Sequence, residues 1–173
     1  MPTLFIFAGL PGTGKTTLSQ LLAQQINAVH LRIDTIEQGL RDLCGLRVQG
    51  EGYRLAYRIA ADNLQLGLNV VADCCNPLEL TRREWEQVAK NNAATYANIE
   101  VICSNQSEHQ CRVESRRTDI PNLQLPTWHD VERREYHEWS TPRIVIDTAG
   151  HSPIDSLKTL MAALDDSTTP VTS

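Results

Sequence analysis

The stretch from Gly9 to Thr16 has the residue types and spacing of a loop that binds phosphate. It reads Gly-Leu-Pro-Gly-Thr-Gly-Lys-Thr and fits G-x-x-x-x-G-K-[ST] at every fixed position. Glycines let successive backbone N–H groups converge on phosphate oxygens, and the following helix adds the partial positive charge of its N-terminus. Lys15 is expected to bridge the β- and γ-phosphates, and the Thr16 hydroxyl to ligate Mg²⁺. The sequence therefore predicts a triphosphate site on Gly9, Leu10, Pro11, Gly12, Thr13, Gly14, Lys15, Thr16 and Thr17.

Two carboxylates follow predicted strands and could act on a bound triphosphate. Asp73 comes after largely apolar residues, where a carboxylate can hold a magnesium-bound water or reach the acceptor substrate. Asp34 ends the second predicted strand, where a carboxylate faces the γ-phosphate from the acceptor side and can accept a proton from an attacking hydroxyl. Each also has a purely structural interpretation, because Asp73 could cap its strand and Asp34 could cap a helix that begins near Thr35.

A group of arginines is expected to bind phosphate beside a lid. Arg112 and Arg116 are four residues apart on a predicted helix, so they should share one face of it, next to Arg117. A guanidinium group binds two oxygens at once and can spread the charge of a transferring phosphoryl group. Residues 118–126 include two prolines and show no regular period, which predicts a short lid. The alternative is a solvated helix face on which the arginines pair with Glu108 or Glu114.

Two further segments are interpreted as structural. Arg133 and Arg134 lie in a glutamate-rich stretch, which favours surface ion pairs with Glu132, Glu135 or Glu138. The segment Asp147–Gly150 resembles the D-x-x-G switch of GTPases, but no N-K-x-D segment that would read guanine follows it. We interpret it as the turn after the last strand, close to where an adenine ring would lie.

The elements that must position these residues alternate between short apolar strands and amphipathic helices. Strands are predicted over 3–8, 28–33, 68–72, 98–103 and 143–146, and helices over 15–26, from about 35, 53–66, 78–91, 108–117, 127–139 and 153–164. This alternation is typical of an α/β fold, here with a five-stranded parallel sheet and helices on both faces. Ligands of such sheets bind beyond the carboxyl ends of the strands. Residues 1–164 are expected to form one domain and residues 165–173 a disordered tail.

Composition restricts the partners and the compartment. The 173 residues carry 16 basic and 21 acidic side chains, a net charge of −5, which argues against general binding to nucleic acid while leaving room for a local basic groove. The apolar runs are far shorter than the roughly 20 residues that span a bilayer, and no basic segment precedes the first of them. The five cysteines include no C-x-x-C pair, as expected of reduced thiols. We therefore expect a cytoplasmic protein without a membrane partner.

Together these motifs resemble the small P-loop kinases. The greatest similarity is to the predicted ATP-dependent kinases grouped with AAA-type ATP-binding proteins, alongside zeta-toxin, chloramphenicol phosphotransferase and polynucleotide 5′-kinase domains. The resemblance runs from Phe5 to about Leu164. It rests on the phosphate loop, on R-x-D at Arg32–Asp34, on VVADCCN at Val70–Asn76 followed by TRREW, on R-x-x-x-R at Arg112–Arg116 and on VIDTAG at Val145–Gly150.

The resemblance implies a three-layer P-loop NTPase fold with a short lid. It also implies that the loop binds ATP and that Asp34 contacts or deprotonates the acceptor hydroxyl. Arg112 would then lie over the adenine, Arg116 would reach the phosphates, and Asn76 would line the acceptor cleft. Polynucleotide kinases often carry an arginine shortly after the acidic residue, whereas the first arginine after Asp34 is Arg41, so the chain departs from that subtype.

The hypothesis that follows is an ATP- and Mg²⁺-dependent kinase that phosphorylates a hydroxyl of a small-molecule or nucleotide-like acceptor. Its predicted catalytic residues are Lys15, Asp34 and Arg116, and Thr16 and Asp73 are the predicted Mg²⁺ ligands. Two alternatives stay open, namely an ATP-binding regulatory switch with slow hydrolysis and a 5′-hydroxyl polynucleotide kinase. The identity of the acceptor, which residues 36–57 and the lid would select, and the oligomeric state do not follow from the sequence.

Overall fold

Five apolar stretches of the chain pair in parallel to form one sheet, as the sequence predicts. In the computed structural model, which describes residues 1–168, their order across the sheet is β2-β3-β1-β4-β5. The strands are β1 (Thr3–Ala8), β2 (Val29–Arg32), β3 (Val70–Asp73), β4 (Thr95–Ile102) and β5 (Ile144–Asp147). In parallel pairing every strand ends at the same edge, so the segments that follow β1, β2 and β3 meet there.

Helices connect the strands and cover the sheet. They are α1 (Lys15–Gln25), α2 (Ile33–Cys44), α3 (Glu51–Gln65), α4 (Glu79–Asn91), α5 (Gln106–Ser115), α6 (Trp128–Glu132) and α7 (Pro153–Thr168). Among residues 1–168, none of these helices is both long and apolar enough to cross a membrane.

Apolar side chains pack on both faces of the sheet because successive residues of a strand point to opposite sides. In β1, Leu4 and Ile6 face a core that includes α3 and α4. Phe5 and Phe7 face the other core, which includes α1 and α7. The α/β fold with three layers is therefore confirmed, and the central strand that leads into the phosphate loop is buried along almost its whole length.

Two helices end earlier than predicted. The helix predicted over 127–139 stops at Glu132, although its N-terminus is the predicted capping box of Thr127 and Asp130. The following residues instead return to the domain, because Tyr136 and Trp139 place their rings 4.9 and 4.0 Å from the guanidinium carbon of Arg82. The helix predicted over 108–117 ends at Ser115, after which the backbone becomes extended.

The last helix is longer than predicted. It continues through Thr168, so residues 165–168 are helical, in contrast to the predicted disordered tail. Leu157, Leu160, Met161 and Leu164 recur at helical spacing and pack against the sheet, which stabilises the helix up to its last turns. Residues 169–173 lie outside the described part of the chain.

Candidate active site

The loop between β1 and α1 has the backbone conformation of a phosphate cradle. Gly9, Gly12 and Gly14 have φ angles of 139°, 84° and 93°, which side-chain-bearing residues rarely adopt. At Gly9 an added Cβ would also lie 2.2 Å from the carbonyl oxygen of Val101. The glycines are therefore required both by local geometry and by the close approach of β4.

Contacts from distant parts of the chain hold this loop in place. The Gly9 amide donates to the Cys75 carbonyl at 3.1 Å, and the Thr148 hydroxyl donates to the Thr13 carbonyl at 2.8 Å. Nε2 of His109 in α5 donates to the Pro11 carbonyl at 2.8 Å, and the His109 ring packs edge-on against Trp128 of α6. Sequence reasoning does not find His109, because its partner lies 98 residues away.

Lys15 is buried at the start of α1, directly after the loop. Its ammonium group approaches the Leu10 carbonyl at 3.5 Å. Burial opposes the charge of this group, but the nearby Cys75, Asp73 and Asp34 favour it more strongly, so the pKa of Lys15 is raised above its ordinary value. The side chain therefore stays a cation at any physiological pH.

Asp73 is the last residue of β3, as predicted, and its side chain is 3% exposed. Its Oδ2 accepts no hydrogen bond within residues 1–168 and lies 3.9 Å from Nε2 of His30. His30 in turn contacts the Ser19 hydroxyl at 3.0 Å, and that hydroxyl donates to the Thr16 carbonyl. A buried carboxylate oxygen without a partner is costly unless something else binds it.

The oxygen atoms of Asp73 and Thr16 are better suited to Mg²⁺ than to a metal that is held by protein ligands alone. In the described chain, no three His, Cys, Asp or Glu side chains are grouped so that they could hold an ion. Mg²⁺ commonly takes one or two oxygen ligands from the protein and completes its shell with waters and substrate phosphates. The free Oδ2 of Asp73 and the hydroxyl of Thr16 beside the loop fit that pattern.

Asp34 lies in the first turn of α2, two residues beyond the end of β2. This differs from the prediction that Asp34 ends the strand, and it also excludes the cap interpretation, because Arg32 occupies the N-cap position and α2 begins at Ile33. The Asp34 carboxylate is exposed to a cavity rather than bonded to the helix backbone. A carboxylate in the first helical turn is stabilised as an anion by the helix dipole.

One cavity of about 520 Å³ brings the predicted catalytic residues together. Lys15, Thr16, Asp34 and Arg116 all line it, together with Cys75, for which sequence reasoning gave no role. The remaining walls come from α2 and residues 117–126, with Pro11 of the loop, Arg32 at the end of β2 and Arg134 after α6. Asn76, which the resemblance placed at the acceptor cleft, is instead fully buried and donates from Nδ2 to the Phe7 carbonyl at 2.8 Å.

The two lid arginines take separate positions because α5 ends between them. Arg116 follows the last residue of α5 in extended backbone, so it does not share a helix face with Arg112 and instead enters the large cavity. Arg112 pairs with Glu108, as the structural alternative expected, and also donates to the hydroxyl and carbonyl of Thr148 at 2.8 and 2.9 Å. It lines a smaller cavity of about 280 Å³ that Gly14 and Thr17 also border.

The predicted lid, residues 118–126, lies over the large cavity. Asp119 accepts two hydrogen bonds from Arg32, at 2.8 and 2.9 Å. Asn122 donates to Asp42 of α2 at 3.3 Å. Thr118 and the five residues from Asn122 to Pro126 line the cavity, so the lid forms one of its walls.

The prediction for Arg133 and Arg134 is wrong. Neither guanidinium forms an ion pair with a glutamate in the part of the chain that the structure describes, and Arg134 lines the large cavity, whereas Arg133 does not. The reason is the early end of α6 at Glu132, because the glutamates that would lie one helical turn away are no longer at helical spacing.

The parallel sheet and the glycine loop at the end of its central strand define a nucleotide-binding protein with the P-loop kinase fold. The chain belongs to the family described as AAA domain (AAA_33), whose model matches residues 4–132. A curated relative, the replication-associated recombination protein A of Haemophilus influenzae, is 43% identical over 53 residues, or 31% of this chain. The chain spans only 12% of the length of that relative.

Solved structures with similar folds include several kinases. A gluconokinase from Sinorhizobium meliloti superposes with a TM-score of 0.69 and 13% identity, over 95% of this chain and 93% of that one. The APS kinase of Mycobacterium tuberculosis in complex with AMPPNP and APS gives 0.67 and 15%, over 95% and 98%. Chaetomium thermophilum Kti12 in complex with ADP-AlF3 gives 0.68 and 18%, over 94% and 97%.

Proposed function

We propose that the protein is an ATP- and Mg²⁺-dependent kinase that transfers the γ-phosphoryl group to a hydroxyl of a small acceptor. The observation that carries this proposal is the single cavity in which the phosphate-loop residues Lys15 and Thr16 meet a free carboxylate, Asp34, from another element. A triphosphate held by the loop and a hydroxyl beside Asp34 would share this one cavity. The kinases with the same fold named above support this reaction class.

On this proposal, each residue does a distinct part of the chemistry. The loop amides and Lys15 bind the triphosphate, and we assign the base to the smaller cavity that Arg112 lines with Thr17. Asp34 accepts the proton of the attacking hydroxyl. Arg116, whose guanidinium enters the same cavity, stabilises the charge that develops on the transferred group.

Thr16 and Asp73 would hold Mg²⁺, directly or through a bound water. When present, the ion neutralises phosphate charge and fixes the orientation of the triphosphate. The roles of Asp34 and Asp73 are therefore separable, because the first acts on the acceptor and the second on the metal. Replacing Asp73 by Asn should raise the Mg²⁺ concentration for half-maximal activity by roughly 10- to 100-fold.

The test of the proposal is the variant Asp34→Asn, assayed with labelled ATP against a panel of sugar, sugar-acid, nucleoside and aminoglycoside acceptors. The variant should bind a fluorescent ATP analogue as the parent does and lose roughly 10²- to 10⁴-fold in phosphoryl transfer. Asp62→Asn, which changes an exposed carboxylate of α3 away from the cavity, is the matched control and should keep full activity.

Two results would count against this function. Turnover by Asp34→Asn at the parent rate would exclude Asp34 as the base. If no acceptor in the panel or in a cell-extract pool accelerates ADP release above the basal rate, the regulatory-switch alternative would be favoured. Oligonucleotide binding that weakens steeply with salt would favour the polynucleotide kinase alternative.

A further inference from the structure

The large cavity is lined by far more positive than negative charge. Six basic side chains and two carboxylates face it, although the whole chain has a net charge of −5. The basic residues are Lys15, Arg32, Arg41, Arg116, Arg117 and Arg134, and the carboxylates are Asp34 and Glu37. Such a concentration of cations at one site of an acidic protein attracts anions and favours their binding there.

Two of the six cations are neutralised within the protein. Arg32 forms its two hydrogen bonds with Asp119 of the lid. Arg41 pairs with Glu37 one helical turn earlier, at 3.3 Å. Lys15 and Arg116 have a ligand on the proposed function, because both are assigned to the triphosphate. Arg117 and Arg134 are the two cations of the cavity to which no partner has yet been assigned.

Neither Arg117 nor Arg134 makes a hydrogen bond or an ion pair through its guanidinium within residues 1–168. Asp130, whose carboxylate feels the charge of Arg134, is already bonded to the amide and hydroxyl of Thr127. Arg134 and Arg32 also lie close enough to Arg116 to oppose its charge, which adds to the main effect, burial, in lowering the pKa of Arg116. Like charges that face one space without a counter-ion are stabilised when an anion binds between them.

The size and other lining groups of the cavity indicate what kind of anion fits. A volume of about 520 Å³ accommodates a small molecule beside the end of a triphosphate. Asn122, Gln124 and Thr118 of the lid line the same space and can hydrogen-bond to hydroxyl groups. The planar forks of two arginines match the paired oxygens of a carboxylate or a phosphate.

We propose that the acceptor carries an anionic group, a carboxylate or a phosphate, in addition to the hydroxyl that is phosphorylated, and that Arg134 and Arg117 bind this group on the lid side of the cavity. The assignment of the acceptor rests on the proposed function. Binding of the anion itself does not, because it can be measured without turnover. Arg134 and Arg117 then set the affinity for the acceptor, whereas Lys15, Asp34 and Arg116 act on the transferred group.

The experiment measures binding to the full chain with its nucleotide site filled by Mg²⁺ and AMPPNP, so that added anions cannot occupy the phosphate loop. Isothermal titration calorimetry compares the affinities of three pairs of compounds, and the two members of each pair differ mainly in one anionic group. The pairs are glycerate with glycerol, gluconate with sorbitol, and adenosine 5′-monophosphate with adenosine. At least one anionic member should bind about tenfold or more tightly than its neutral partner, and the pair that responds distinguishes a carboxylate from a phosphate.

Single variants assign that preference to the two arginines. Arg134→Gln and Arg117→Gln should each reduce the preference for the anionic compound by about tenfold and raise the acceptor KM with little change in the KM for ATP. Arg133→Gln makes the same change of charge at the adjacent, exposed residue that does not line the cavity, and it should keep the full preference. Both arginines are exposed to solvent, so the variants are expected to fold, and thermal melting checks this.

The outcomes separate this inference from the proposed function. Equal binding of charged and neutral partners across all three pairs, or an unchanged preference in both variants, would overturn the anion site. Phosphorylation of neutral compounds alone would overturn it too and leave the kinase function standing. A preference that depends on Arg134 or Arg117, with no phosphoryl transfer to any compound that binds, would support the anion site and count against the kinase function.

Discussion

The two ends of the cavity, to which we assign the nucleotide and the acceptor, are built in different ways. At the nucleotide end, one continuous stretch of backbone forms the loop, which is held in place by hydrogen bonds with Cys75, His109 and Thr148. At the acceptor end, charged side chains from α2 and from the residues after α6 form the walls, together with uncharged side chains of the lid. The contacts that hold the lid there, Arg32 with Asp119 and Asn122 with Asp42, are exposed to solvent.

This difference predicts unequal tolerance to change. A binding surface made of backbone depends on φ angles and close approaches that one added methyl group can destroy. A surface made of side chains on a helix and a loop can lose one member and keep its framework. Substitutions at the nucleotide end should therefore abolish binding, and those at the acceptor end should shift affinity and selectivity.

The largest effect is expected from Gly9→Ala. The added methyl would meet the Val101 carbonyl at 2.2 Å in a backbone conformation that alanine avoids, so ATP binding should be lost and the free energy of unfolding should fall by at least about 2 kcal/mol. Equilibrium unfolding and nucleotide titration measure both. Gly39→Ala is the control in α2, where nothing lies within 4 Å, and it should stabilise the protein by roughly 0.5–1 kcal/mol. Equal effects of Gly9→Ala and Gly39→Ala on ATP binding and on the free energy of unfolding would contradict this prediction.

A smaller effect is expected from Arg82→Lys, behind the nucleotide end. The buried Arg82 donates from Nε to the Asn76 carbonyl at 2.8 Å and stacks on Trp139, which lysine cannot reproduce. The loss should be about 2 kcal/mol of unfolding free energy, with weaker ATP binding because Cys75 and Asn76 hold β1 and its loop. Arg83→Lys changes the exposed neighbour, so denaturant unfolding should show a shift within about 0.5 kcal/mol.

The smallest effect is expected from Asp119→Asn at the acceptor end. The pair with Arg32 is largely exposed on the Asp119 side, so its loss should change the free energy of unfolding by less than about 1 kcal/mol while raising the acceptor KM. The KM for ATP should not change. Initial-rate kinetics at low and high salt test this, and an effect of equal size on both KM values would show that the two ends are not separate.

The same pair gives a weak dependence on pH. Hydrogen bonds from Arg32 lower the pKa of Asp119 below its ordinary value of 3.8. Its contribution to stability is therefore fully present above that ordinary value and is lost as the pH falls through the lowered one. Between pH 5 and 8 the contribution should be constant, so in that range melting temperatures of the parent and Asp119→Asn should differ by a fixed amount.

The parts of the site that the sequence predicts are those encoded locally. The phosphate loop depends on glycines and Lys15 within eight residues, and Asp73 follows directly from the apolar strand before it. Arg116 is predicted to be helical, whereas α5 ends at Ser115 and Arg116 is extended, because a sequence pattern does not fix a helix end to within one or two residues. Arg134 and His109 are missed because their environment comes from residues far away in the chain.

The fold itself is largely predictable because strands buried on both faces are continuous apolar runs. The bounds of the helices are less so, as α6 and α7 show. In α6 the pattern of charges continues past Glu132, but contacts of Tyr136 and Trp139 with Arg82 decide the path of the backbone. Local preference was overridden there by packing that involves residues more than fifty positions apart.

The position of β1 at the centre of the sheet has a consequence for how the protein is made. Phe5 pairs with Val71 on one side and with Ala97 on the other, and the loop that follows is held by residues as distant as Thr148. During synthesis, β1 emerges long before either neighbour, and contacts of such large sequence separation form slowly. Although the nucleotide site is encoded within residues 9–16, a nascent chain acquires it only when nearly all of the domain has been translated.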